Sequence, residues 1–135
     1  MPISCQLNHK FDFPISQLQT LFNQTTWANG RSAKDIKVML KNTDLIFCVS
    51  ENKKLIGFAR ILTDYVFRAT LWDVIVHSDH HGRGIGRMIL ENILSHPKLK
   101  KVQKIWLFTS NKHTFYKKFG FEVENKGWMF LDRKI

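Results

Sequence analysis

The chain has 135 residues, 44% of them hydrophobic and 24% charged, and a formal net charge of +10 at pH 7. That length supports one hydrophobic core rather than two, and the composition excludes wholesale disorder. No apolar run approaches the length of a bilayer span, and the N-terminus M-P-I-S-C-Q-L-N-H-K lacks a signal-peptide core, so the expectation is a single cytoplasmic domain over residues 1–135 with no membrane partner.

Ile3 to Asn8 reads as a first edge strand. After Pro14, the positions Ile15, Leu18, Leu21 and Phe22 mark an amphipathic helix, with Asp12 near its start. Trp27-Ala28-Asn29-Gly30-Arg31 breaks it. Ser32-Ala33-Lys34-Asp35 then opens a second helix with capping-box spacing, whose buried face is Ile36, Met39 and Leu40. Leu45 to Val49 and Leu55 to Leu62 form a hairpin across the polar connection Ser50 to Lys54. Cys5 and Cys48 both fall in predicted strands without a C-x-x-C pair, which makes them small buried thiols rather than a disulfide or a metal site.

Ala69 to Val76 is the next strand, and its run L-W-D-V-I-V carries a carboxylate, Asp73, among apolar residues. Such a group is costly unless it is paired, hydrogen-bonded or facing water. Two readings stand: Asp73 faces a cleft and orients or deprotonates a cationic amine, or it pairs with a lysine, an arginine or a backbone amide. Polar residues and glycines follow until Ile85, Met88, Ile89 and Ile93 recur at helical spacing. Gly82, Gly84 and Gly86 lie where the chain enters that helix, so backbone can approach a ligand closely there. The first turn of a helix adds unpaired N–H groups and the positive end of the dipole, which together cradle phosphate, with Arg83 and Arg87 as neighbouring cations. A solvated turn with incidental glycines is the plain alternative. Neither the P-loop pattern nor the dinucleotide fingerprint G-x-G-x-x-G is present.

His96-Pro97 stops this helix, and Ile105 to Thr109 is a further strand. Ser110 or Asn111 is placed to cap the next helix and Gly120 to end it. Phe115 and Phe119 share its buried stripe while Tyr116 lies at the border, where a ring can pack and its hydroxyl reach a cleft. His113 stands near the helix start, where an imidazole can relay a proton. Val123 to Leu131, around Asn125-Lys126-Gly127, suggests a closing hairpin, with Trp128, Met129 and Phe130 in the core or at a substrate mouth. The six histidines show no zinc spacing, and no metal is expected. Lysines and arginines run from Lys10 to Lys134 without gathering on one arm, so a dispersed basic surface that favours a polyanionic ligand fits better than a nucleic-acid interface.

Two stretches resemble motifs of the GCN5-related N-acetyltransferase (GNAT) family. His81-Gly82-Arg83-Gly84-Ile85-Gly86 is similar to its acyl-CoA-binding motif, with His81 where Gln or Arg is usual. S-N-K-H-T-F-Y-K-K-F-G-F-E, at Phe115, Tyr116, Phe119, Gly120 and Phe121, is similar to its second conserved motif, and Ile56-Gly57-Phe58-Ala59-Arg60 resembles its third strand. The resemblance spans about Leu45 to Phe130 and implies a mixed α/β fold, a central mixed sheet with helices on both faces, of the small single-domain bacterial type. It further implies acetyl-CoA as cofactor, its diphosphate on the backbone amides of residues 82–87, its pantetheine arm paired to Val74, Ile75 and Val76, and contacts from His81, Asn111 and Phe115. Tyr116 would protonate the departing thiolate, Asp73 or a water it orients would take the amine proton, and Trp27 and Arg31 would contact the acceptor.

L-W-D-V-I-V and F-Y-K-K-F-G-F-E also resemble the plastid and cyanobacterial arylalkylamine (serotonin) acetyltransferase branch, which implies a small amine acceptor. A protein N-terminus or lysine is the alternative acceptor. A noncatalytic acyl-CoA sensor or a basic nucleic-acid-associated module on the same fold is the contrasting function, and a homodimer through the C-terminal end is a further possibility.

Overall fold

A computed structural model describes residues 3–8, 10–124 and 127–133. Five strands follow one another across a single sheet: β1 (Ile3–Asn8), β2 (Leu45–Glu51), β3 (Lys54–Thr63), β4 (Arg68–Val76) and β5 (Lys104–Leu107). The first four are antiparallel neighbours and β5 runs parallel to β4. Asn52 and Lys53, with φ of 53° and 64°, make a two-residue turn between β2 and β3, so the strands run further into Ser50–Lys54 than the polar run suggested.

Helices cover both faces. α1 (Ile15–Asn23) and α2 (Ala33–Lys41) bury Leu18, Leu21, Phe22 and Ile36 against Ile46, Cys48 and Phe58 of the sheet. The Ser32 hydroxyl accepts from the Asp35 amide at 3.1 Å, the cap that the S-x-x-D spacing predicts. On the opposite face α3 (Ile85–Leu94) lays Ile85, Ile89, Leu90 and Ile93 on Phe47, Val49, Ala59 and Leu71. Alternation along β2 sends Phe47 one way and Cys48 the other, so one strand feeds both cores. Cys48 is a buried thiol, whereas the Cys5 side chain lies outside the described residues.

β4 breaks that alternation. Its register with β3 pairs Trp72 with Arg60 but Ile75 with Phe58, leaving Asp73 and Val74 together opposite Ala59. This is a β-bulge, and Asp73 stands in the left-handed region at φ 55°. Before it Ala69 and Leu71 pack under α3; beyond it Ile75 packs under α1 and α2.

The C-terminal third departs from expectation. β5 ends at Leu107, two residues early, and α4 (His113–Lys117) is capped by neither Ser110 nor Asn111. The Thr109 hydroxyl accepts from the Lys112 amide at 3.0 Å, so Lys112 is the residue at the cap. Gly120 ends the helical segment at φ 93°. The tip of the expected closing hairpin, Asn125 and Lys126, lies outside the described residues, and residues 121–124 and 127–133 carry no strand. A four-residue β5 offers too short a ladder to template that hairpin. Trp128 meets Trp106 edge-on at 5.3 Å, but Met129 and Phe130 are exposed rather than in a core. Among the described residues no helix is long and apolar enough to cross a membrane, and no group of three or more metal-ligating side chains is found.

Candidate active site

β4 and β5 stay paired for only four residues, Arg68–Leu71 with Lys104–Leu107. Beyond that pairing, Ile75 and Val76 have strand partners on the β3 side, Val74 lies in the bulge, and none of the three has a partner on the β5 side among the described residues. A backbone edge opened inside a fold presents N–H and C=O groups that an extended ligand can pair with. A cavity of about 540 Å³ lies there, between these residues, the start of α3, Phe115 and Tyr116 of α4, and Trp27 of the α1–α2 loop.

The turn that enters α3 forms the polar end of this cavity. Gly82 and Gly84 sit at φ 81° and 78°, a conformation that L-residues adopt reluctantly, and a Cβ built on either would meet nothing within 4 Å. The glycines therefore answer a backbone requirement and leave open space above the turn. No side chain caps α3, so its first amides point outward at the positive end of the helix dipole. A Cβ on Gly86 would stand 3.3 Å from Phe115 Cζ, which explains why α3 and α4 approach as closely as they do. This cradle fits a diphosphate, with Arg87 and Lys112 as the cations in the cavity wall.

Arg83, by contrast, is not among the residues that wall the cavity and is paired on the flank of the turn. It donates to both carboxylate oxygens of Glu51, at 2.7 and 3.1 Å, and to His80 Nδ1 at 2.7 Å. That hydrogen bond from Arg83, reinforced by the arginine's charge, holds the Glu51 carboxyl below its ordinary range, and Glu51 in turn raises Arg83. The ion pair satisfies Arg83 on the flank of the turn, which removes the need for a ligand there. His81 does line the cavity, with Nε2 2.9 Å from the Val76 carbonyl. Because a carbonyl only accepts, Nε2 carries the proton, and the imidazole ties the turn to the open strand.

Tyr116 closes the far end. It is buried, flanked edge-on by Phe115 at 5.1 Å and Phe121 at 5.9 Å, and burial pushes its phenol up to about 12. Its side also lines a second cavity of about 340 Å³ between β5 and residues 121–124, walled by Trp106, His113 and Trp128. Asn111 is exposed and lines neither cavity, while its neighbour Lys112, whose amide donates to the Thr109 hydroxyl, lines the first.

Asp73 and Arg31 are brought together, and neither lines the main cavity. Arg31 Nη1 and Nη2 donate to the Asp73 carboxylate at 2.9 and 3.3 Å, and Arg60 Nε donates at 2.7 Å. The pairing reading of Asp73 is thus the one the coordinates describe. The expected contact of Arg31 with an acceptor gives way to this pair and to stacking 4.7 Å over the Phe22 ring. Sequence reasoning missed Arg60, Glu51 and Lys112. Arg60 faces Trp72 across the ladder, one residue short of Asp73, but a bulge cannot be counted along the chain before the register is known.

A family model described as an acetyltransferase (GNAT) domain matches residues 42–123. The uncharacterized N-acetyltransferase ycf52 of Pyropia yezoensis is 34% identical over 118 residues, 84% of this chain and 67% of that protein. The histone acetyltransferase TAP1 of Glycine max is 29% identical, over 86% of this chain and 55% of that protein. Among solved structures, an acetyltransferase assigned to the GNAT family in Xanthomonas campestris pv. campestris superposes with a TM-score of 0.82 at 25% identity, covering 100% of this chain and 95% of that one.

Proposed function

This chain belongs to the GNAT acetyltransferase family, and we propose from that premise that it carries an acetyl group from acetyl-CoA directly to the primary amine of a small molecule. The observation that carries the reading is that the uncapped start of α3, the unpaired edge of Val74–Val76 and Tyr116 all open on one cavity. Acetyl-CoA supplies the activated acyl group as a thioester. The amides at Gly84–Arg87 hold its diphosphate, with Arg87 and Lys112 adding charge, and the Val74–Ile75 backbone holds the extended arm. Phe115 and Val76 exclude water from the arm.

At the far end the Tyr116 hydroxyl donates its proton to the departing sulfur. A phenol raised to about 12 is fully protonated at neutral pH and so holds the proton until the thiolate needs it. Both Asp73 oxygens already accept from guanidinium groups, so the amine loses its proton to water at the cavity mouth, beside the half-exposed Trp27. No Ser or Cys nucleophile lines the main cavity apart from Ser78, whose amide is held by Gln24 Oε1 at 2.9 Å on the outer rim, in keeping with direct transfer. A histone tail, the substrate that the name of one relative implies for that protein, is strongly basic. The +10 charge of this chain opposes such a tail at long range, which favours a small acceptor.

The test is a panel of small aromatic and aliphatic amines, a lysine peptide and a free N-terminal peptide, each with acetyl-CoA, read by release of free thiol. Amine-dependent release that is fastest with a small amine is the expected outcome. Cofactor binding without any amine-dependent release would replace this reading with the noncatalytic one. Tyr116→Phe should slow release about 10²-fold while leaving acetyl-CoA binding unchanged; turnover at the parent rate would remove the acid role.

A further inference from the structure

We propose that Asp73, held by Arg31 and Arg60, is a positioning residue that keeps β4 bulged and thereby keeps the edge at Val74–Val76 open for the acyl arm; this rests on the acetyl-CoA reading above. Three independent features meet at the residue. Asp73 has a left-handed backbone at φ 55°, it is one of the two residues opposing Ala59 in the bulge, and its side chain is 3% exposed with guanidinium groups on both oxygens. A non-glycine residue enters the left-handed region reluctantly, Asp and Asn less so than the others. The short ties to Arg31 and Arg60 are the interactions present to offset that cost.

The two arginines come from different places. Arg60 lies on β3, the strand against which the bulge is measured, and Arg31 ends the loop that carries Trp27 to the cavity. Their common carboxylate therefore joins β3, β4 and the loop over the cavity mouth, and it offsets the cost of the left-handed backbone that forms the bulge and turns the chain into Val74. Without the bulge, strict alternation would put position 75 under α3 with Leu71, and the residues that now present the open edge would be rotated to the other face. The carboxylate acts on the ligand only through the backbone that follows it.

A residue acting as a proton acceptor and one acting through backbone geometry respond differently to substitution. Glycine enters the left-handed region without steric cost, so Asp73→Gly keeps the bulge after losing the carboxylate, whereas Asp73→Ala loses both. Both variants should melt below the parent because two arginines lose their partner. In isothermal titration with acetyl-CoA, Asp73→Ala should bind at least about tenfold more weakly than the parent, and Asp73→Gly within about threefold of it. Should the alanine variant fail to fold, Asp73→Asn and Asp73→Ser carry the same comparison, since Asn tolerates the left-handed region and Ser does not. Parent-like affinity in Asp73→Ala or Asp73→Ser overturns the inference alone, as does equal weakening in the glycine variant. Absence of acetyl-CoA binding by the parent overturns the functional reading and this inference with it.

Discussion

At the scale of single residues, the chemistry turns on what each charged or titratable group already touches. Tyr116 is the group whose environment serves a proton donor: its ring is packed by Phe115 and Phe121, and burial disfavours the phenolate. A phenol raised from 10.0 to about 12 binds its proton more tightly folded than unfolded. Its contribution is therefore whole below pH 10 and is lost as pH rises through about 12, on the order of 2–3 kcal/mol. Tyr116→Phe should flatten that part of the alkaline stability loss, measured as urea midpoints between pH 9 and 11.5 for parent and variant. A parallel loss in both would show that the phenol sits in water. Tyr116 was legible in the sequence because helical spacing placed it beside the Phe115–Phe119 stripe. Arg83 was misplaced for the opposite reason: its proximity to the glycines is sequential, while its partner Glu51 is 32 residues away across a hairpin.

At the scale of elements, two glycines separate the roles of packing and of backbone. Gly57 lies on β3 under α3, and a Cβ there would stand 3.0 Å from Ile85 Cγ2 and 3.3 Å from both Ile89 Cδ1 and Val49 Cβ. Gly57→Ala should lift α3 off the sheet at a cost of about 1–3 kcal/mol, seen as a lower melting temperature. Gly84→Ala meets no neighbour within 4 Å, so its cost is the strain of φ 78° on an alanine, about 1–2 kcal/mol. The added methyl enters the open space over the turn where the diphosphate is proposed to sit, and acetyl-CoA affinity should fall further in Gly84→Ala than in Gly57→Ala at comparable loss of stability. Titration and melting of the two variants side by side read the difference. Helix α3 was legible because its period and its glycines lie within one short run. The start of α4 was not, since Thr109, Ser110 and Asn111 all carry competent acceptors and only the path of the chain after β5 sets the Thr109 hydroxyl on the Lys112 amide and leaves Lys112 itself at the cap.

At the scale of the molecule, helices on both faces of a mixed sheet leave an opening where β4 and β5 part. With a net charge of +10 on the chain, binding of the polyanionic cofactor proposed above is expected to be sensitive to salt. Acetyl-CoA affinity should weaken about three- to tenfold between 50 and 500 mM salt, measured by titration; affinity that does not move would show that the backbone amides alone hold the ligand. The apolar surface at Phe108, Met129, Phe130 and Leu131 is exposed, and it sits beside the short β5 rather than within the core that the alternation after Val123 suggested.

The sequence by itself determined the order of elements, the glycine turn and the aromatic stripe of α4, because each is written in spacings of two, three or four residues within one segment, while the class of fold came from the resemblance of its two motifs to the GNAT family. Tertiary structure decided what Asp73, Arg31, Arg83 and Asn111 do. Those outcomes depend on which charge reaches which across 32 or 42 residues of chain, and on a bulge that shifts every later side chain of β4 by one face. Local pattern carries no record of such distances, and only the closed sheet brings the partners together.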